Sequence, residues 1–380
     1  MKELVVYFFR LGTIGFGGPA ALVGYMRRDL VEDRKLIDEP TYNLSIALAQ
    51  IMPGPLAAQT AMAIGFFQGG IAGATLVGLA FILPSFLMVL ALSALYVAYG
   101  GMPWMQSVFY GIGAVIIAII AVAAYRLAIG TNKKDPLLWA VFGAMLLATA
   151  WTGTELATLF LMAGLIVLFV RAWPGLREAG ALAAVGLTAT LLIVALERSL
   201  SASTSGDQHV LLQILMFFTK AGSFVFGSGL AIVPFLQQGV VHDLAWLSEH
   251  QFLDAVAVAL ITPGPVVITV AFIGFLVAGV AGATLAAVGI FVPVYVFTIV
   301  PAPWFRRHKD NPQLRAFAAG ATAAASGAIA GAVLVLGRGA MVDVPTAAIA
   351  LTGLFLLLRF RVPEPVLVLG ASVAGLALSH

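Results

Sequence analysis

Cysteine is absent from the 380 residues, which excludes disulfides, thiolate metal ligation and thiol catalysis. Charge is almost as scarce. Asp, Glu, Lys and Arg together make up 10% of the chain, against about 25% in a soluble domain. So few charges cannot furnish a water-facing surface for a chain of this length, whereas lipid tolerates an apolar exterior. No His, Asp and Glu spacing has the form of a metal site, and no phosphate-cradling loop or nucleophile–base pair occurs. An enzyme, a resident cofactor or metal, and an ATP-driven pump are therefore not expected. With a net charge of only +3, neither is a nucleic acid partner.

What the chain has instead is apolar sequence, 61% of it. Apolar runs lie near 4–25, 42–67, 71–99, 104–128, 137–151, 155–171, 179–197, 210–236, 253–276, 278–301, 313–337, 342–358 and 363–378. A crossing needs about 20 apolar residues. The expected fold is an all-α polytopic membrane protein of about thirteen transmembrane segments. The first run follows Met1, Lys2 and Glu3 without a small-residue cleavage pattern, so it reads as its own insertion signal. Forty glycines and 18 prolines suit membrane helices, where small residues allow close packing and breaks line cavities.

The chain repeats itself at a shift of 210. Gly12-Thr13-Ile14-Gly15-Phe16-Gly17 aligns with Gly222-Ser223-Phe224-Val225-Phe226-Gly227, and Pro53-Gly54-Pro55 aligns with Pro263-Gly264-Pro265. At a shift of 209, Gly73-Ala74-Thr75-Leu76 meets Gly282-Ala283-Thr284-Leu285, and Pro84 meets Pro293. The expected organisation is a first repeat over 1–178, a linking segment and loop over 179–209, and a second repeat over 210–380. Seven runs separate the two starts, and an odd number inverts the second copy, as in many secondary transporters.

Basic residues give the orientation. With the N-terminus cytoplasmic, Arg126, Lys133, Lys134, Arg171, Arg177, Arg306, Arg307, Lys309, Arg359 and Arg361 fall on that side. Arg27, Arg28, Arg34, Lys35, Arg198 and Arg338 then fall on the other, unless the first segment is re-entrant and brings the first four back.

Pro-Gly-Pro inside an apolar run breaks a helix, and paired breaks in two halves point to a transport site. Gly15-Phe16-Gly17-Gly18-Pro19 and Phe226-Gly227-Ser228-Gly229 are a second pair, able to aim backbone N–H groups and a positive helix end at an anion. Close packing through small residues would use the same glycines. Arg10 and Lys220 precede the two glycine breaks at matching positions, as a dianion site requires, or as side chains reaching for the interface would. Gln50 and Gln59 flank the first Pro-Gly-Pro, and Thr60, Thr262 and Thr269 lie by the two breaks. The candidate substrate site is thus Arg10, Gly17, Gly18, Pro19, Gln50, Pro53, Gly54, Pro55, Gln59, Lys220, Gly227, Ser228, Gly229, Thr262, Pro263, Gly264 and Pro265. Asp254 is the candidate for a coupled proton, or else an interfacial acid at the start of its helix. His242 and His250 read as solvated loop residues.

Phe8-Phe9-Arg10-Leu11-Gly12 followed by Gly15-Phe16-Gly17-Gly18-Pro19 resembles the opening motif of the chromate ion transporter (CHR) family. Gln50-Ile51-Met52-Pro53-Gly54-Pro55 with Gln59 resembles its second motif, and the stretch from Gly222 through Pro265 to Pro293 resembles the divergent second copy of its long members. The chain departs from many members at Leu22, where they carry a histidine. The resemblance implies a secondary carrier in a bacterial-type inner membrane that exports chromate, confers resistance to it and draws on the proton-motive force. The alternative is a carrier for sulfate or another inorganic or organic anion. Membrane lipid and a chromate-like or sulfate-like dianion are the expected partners, and a homodimer is compatible with this reading.

Overall fold

The computed structural model describes residues 1–99, 102–152, 157–173, 207–224, 229–308, 311–360 and 362–378. The expected segment at 179–197 lies outside them, as do Gly227 and Ser228. Among the described residues every regular element is helical.

The first apolar run does not cross as one helix. Helix α1 (Lys2–Ile14) stops at Gly15, and Gly17 takes φ 115°, a left-handed value that only glycine adopts without strain. Pro19, pre-set for a first helical turn, opens α2 (Pro19–Met26). A π-helical turn over Arg27–Asp33 follows. The chain has then doubled back: the Arg34 guanidinium lies 5.7 Å from the centre of the Tyr7 ring. Arg27, Arg28, Arg34 and Lys35 therefore return to the face that carries the N-terminus.

The run expected at 42–67 is a second such pair. Helix α3 (Glu39–Ile51) ends at Pro53-Gly54-Pro55, where Gly54 has φ 145°. Helix α4 (Leu56–Tyr99) is itself two arms joined at Gly69 and Gly70, with Gly70 at φ 61°. Along a straight helix Gly65 and Gly73 would stand about 12 Å apart. Here each backbone fills the space a side chain on the other would need, so the chain reverses between them. A side chain at Gly69 would meet Met1, which sets this turn on the N-terminal face too. At 13 residues each, α1 and α3 rise about 20 Å, short of a hydrocarbon core of about 30 Å. The first two expected segments are thus hairpins with tips at Gly15–Gly18 and Pro53–Pro55. Apolar composition cannot tell a hairpin from a crossing, because both bury apolar arms.

The second half copies this. Helix α8 (Asp207–Phe224), a turn at Gly229–Ile232, α9 (Val233–Gln237), a π-helical turn at Gln238–Asp243, α10 (Glu249–Ile261), α11 (Thr269–Ile299) and the short α12 (Ala302–His308) follow in order. Lys35 and Ala245 share a left-handed backbone, at φ 51° and 49°. Leu36 N–H bonds Leu30 O at 2.8 Å, and Trp246 N–H bonds Val240 O at 2.8 Å. Ala278 and Gly279 repeat the hairpin of Gly69 and Gly70, with Gly274 pressed on Gly282.

The halves interlock. Helix α5 (Pro103–Asn132) packs on α14 (Val344–Arg359) and α15 (Glu364–Leu378) of the second half. In exchange α13 (Pro312–Ala340) packs on α6 (Pro136–Thr152) and α7 (Ala157–Arg171) of the first. Small residues allow it: Gly111 lies against the backbone of Ala371 and Gly375, and Gly327 against that of Phe142. Thr75, near the start of the long arm of α4, bonds the Tyr295 hydroxyl near the end of α11 at 2.6 Å. Large apolar side chains such as Leu79, Leu87, Leu351 and Val373 face outward. Four helices among the described residues are long and apolar enough to cross a membrane: Leu56–Tyr99, Trp104–Asn132, Val266–Arg307 and Pro312–Ala340.

Candidate functional site

The glycine break between α1 and α2 opens onto a cavity of about 840 Å³. Gly15, Phe16, Gly17 and Gly18 form one wall, and Arg28, Asp29, Arg126 and Glu364 supply its charge. Arg28 is held by Asp29, Nε to Oδ1 at 2.9 Å, and lies 5.4 Å from the Tyr25 ring. Arg126 comes from the far end of α5, with Nη2 3.5 Å from the Leu357 carbonyl oxygen. Glu364, the first residue of α15, is close to Gly18: a side chain there would lie 3.6 Å from Glu364 Oε1. Helix α2 has no side-chain cap, and its Pro19 brings no N–H. The arrangement offers backbone donors, the positive end of α2 and two guanidinium groups to an anion entering from the N-terminal face.

The Pro-Gly-Pro of the second copy closes the deep end. Gly264 N–H donates to Gly15 O at 3.0 Å, and the Ser85 hydroxyl donates to Gly12 O at 3.2 Å. Gly264 has φ 101°, and any side chain there would overlap Ser85. Pro263, Gly264 and Pro265 are all buried.

The other candidates divide. In the first Pro-Gly-Pro, Gly54 and Pro55 are buried and Pro53 half-buried. Gln59 is fully buried and donates from Nε2 to Pro53 O at 2.7 Å, closing that loop from inside. Its Oε1 has no partner. Thr60, Thr262 and Thr269 spend their hydroxyls on carbonyls three or four residues earlier in the chain, those of Leu56, Val258 and Val266. Gly229 is buried beside Val266 and Val267. Gln50 is exposed at the end of α3. Arg10 and Lys220 are exposed on α1 and α8 and do not line the cavity at the glycine break, whereas Gly17 and Gly18 do.

A second polar cluster sits between copies. Asp254 is buried in α10, accepts a hydrogen bond from the Tyr96 hydroxyl at 2.7 Å and stands 3.6 Å from His250 Nδ1. With Gln106, Phe109 and Gln251 they line a cavity of about 270 Å³. His250 is therefore not a loop residue: it lies in the first turn of α10, exposed but paired to a buried acid. The equivalent positions of the other copy are Leu44 and Phe305, packed in an apolar cluster with Leu48 and Ala63.

Sequence reading did not single out Arg126, Glu364, Arg28 or Tyr96, which line the two cavities. Arg126 and Arg28 read as loop charges, and Glu364 follows Pro363 in no pattern that suggests a ligand. The three charges come from distant stretches of chain that only folding brings to the glycine break.

Comparison with known proteins agrees with this architecture. A family model described as Chromate transporter matches residues 2–170 and 212–376. The chain is 53% identical to a "Chromate transport protein" of Cupriavidus metallidurans, over 99% of this chain and 92% of that one. It is 50% identical to a "Probable chromate transport protein" of Synechococcus elongatus, over 99% and 95% of the two chains. It is 31% identical to a "Chromate transport protein" of Pseudomonas aeruginosa, over 98% and 91%. No solved structure matches. A multi-pass helical membrane protein with two copies of this matched unit, the chain belongs to the chromate transporter family.

Proposed function

We propose that the protein is a secondary active transporter that exports chromate across the plasma membrane and so protects the cell from it. The observation that carries the reading is the cavity at the Gly15–Gly18 tip, where uncapped backbone and two guanidinium groups face one another in a chain of this family. A tetrahedral dianion suits that set, since it needs several donors at once and a counter-charge to leave water. Gly17, Gly18 and Pro19 form the cradle, with Arg28 and Arg126 as its cations. The Pro-Gly-Pro tips at Pro53–Pro55 and Pro263–Pro265 set its depth. Arg10 and Lys220, exposed on their helices, are charges reaching for the membrane boundary.

The two copies are inverted in the membrane. Removing the two hairpins from the seven runs between the repeat starts leaves five, still odd. The contact of Thr75 with Tyr295, start of one long arm to end of the other, supports the same relation. The face that carries the N-terminus is cytoplasmic. With Arg27, Arg28, Arg34 and Lys35 returned to it, that face gathers the basic residues as the positive-inside rule expects. Asp254, with Tyr96 and His250, exchanges a coupled proton near the opposite face. Export of a dianion is driven by the membrane potential at about 2.3 kcal/mol per charge per 100 mV.

Reconstitution into liposomes tests this. Chromate flux should exceed that of empty liposomes, rise with an imposed potential and fall under excess sulfate to the degree that the site does not discriminate. Folded protein giving flux no greater than empty liposomes would remove chromate as the substrate.

A further inference from the structure

The cavity at the glycine break contains as many carboxylates as guanidinium groups. Arg28 and Asp29 are neighbours in the turn after α2 and pair at 2.9 Å. That leaves Arg126 from α5 and Glu364 from α15, which line the same cavity. Tyr25 is the remaining titratable group on the cavity wall. The empty site is therefore balanced, plus one against minus one. A dianion entering it would meet a carboxylate beside Gly18, at the point where the cradle has its donors. A dianion and a carboxylate sharing one guanidinium in a partly dehydrated cavity repel each other, and that repulsion raises the proton affinity of the carboxylate.

Resting on the reading of this cavity as the oxyanion site, we propose that Glu364 is the counter-charge that the dianion displaces from Arg126, and that each dianion bound brings one proton onto the Glu364 carboxyl. The balance is complete. The proton is released by the buffer of the bulk solvent, reaches the site through the open cavity and adds to the Glu364 carboxylate. Arg126 keeps its charge and donates to the oxyanion. The net charge added is minus one instead of minus two. Exported together, dianion and proton still move with the potential, at half the electrical drive of the bare dianion, and the proton leaves by the far-face cluster around Asp254.

Binding to the purified full-length protein in lipid nanodiscs tests this, with chromate and sulfate as probes. Calorimetry in buffers of different ionisation enthalpy counts the protons taken up. The wild type should take up about one proton per dianion, with affinity weakening up to about tenfold per pH unit on the alkaline side. Glu364→Gln should bind sulfate with no proton uptake and an affinity flat in pH, while Glu364→Asp keeps the link. Chromate's own protonation is common to all three proteins and cancels in the comparison. Binding by the wild type without proton uptake overturns the proposal whatever the variants do, and so does a Glu364→Gln protein with the wild-type proton count. A wild type that binds neither anion at any pH overturns the transport site itself, a different failure from the first two.

Discussion

The amide of Gly264 donates to the carbonyl oxygen of Gly15 at 3.0 Å, joining the Pro-Gly-Pro tip of one copy to the glycine tip of the other. Each tip has backbone groups freed by its own break, and each supplies what the other lacks. Buried backbone polar groups otherwise cost about 1–3 kcal/mol apiece, so this bond helps two interrupted helices persist deep in the protein.

Gly264→Ala tests that junction. The new methyl would overlap Ser85, and φ 101° strains any residue but glycine. The expected loss is about 1–3 kcal/mol of stability, read as a lower melting temperature in detergent. Adding Ser85→Ala should recover part of it, because the overlap goes while the backbone strain stays.

Arg126→Ala and Arg10→Ala should separate the cavity from the helix surface. Loss of Arg126 removes a charged donor from the cradle and should reduce chromate flux in liposomes by at least about tenfold. Arg10→Ala, on an exposed face of α1, should keep most of it. Equal loss in both would place the charge that matters outside the cavity.

The polar cluster between copies can be tested against its own apolar twin. Tyr96→Phe with Asp254→Leu installs the pair found at Phe305 and Leu44, which packs without polar groups. The double variant should fold and elute as the wild type does, yet lose transport that depends on a pH gradient. Unchanged gradient dependence would make the cluster a packing feature.

Asp343 caps α14, and its carboxylate is held below the usual range by the Tyr110 hydroxyl at 2.5 Å and by Thr346. A lowered folded value means that this contribution is present above the unfolded value, about pH 4, and is lost as the pH falls through the folded one. Tyr110→Phe should therefore weaken the protein at neutral pH and narrow its loss in acid. Melting curves from about pH 3 to 7 would reveal it, and parallel curves for both proteins would refute it.

Much of the fold was legible because membrane insertion is read from composition. Few charges and long apolar runs leave no soluble alternative, and glycine and proline mark the breaks in both copies at the same spacing. The first tip also fell where Gly15 and Gly17 put it. Of the proposed site, only the backbone breaks were legible in the sequence. Gly17 stood out because its left-handed backbone, φ 115°, favours glycine, whereas nothing local marked the side chains that line the cavity beside it. Arg10 and Lys220 drew attention by sequence proximity to the breaks, and helix rotation turns both outward.

The sequence by itself determined a membrane protein, duplicated, with helices broken at four corresponding places, since hydrophobicity and backbone chemistry are local properties. Tertiary structure alone decided that the first two apolar runs turn back instead of crossing. It also decided that α5 and α13 exchange partners between halves. And it brought Arg28, Arg126 and Glu364, residues more than 200 positions apart at the extremes, into one cavity at the tip of a hairpin. A charge does not record in its neighbours which distant helix end will face it, because that depends on how the two copies pack.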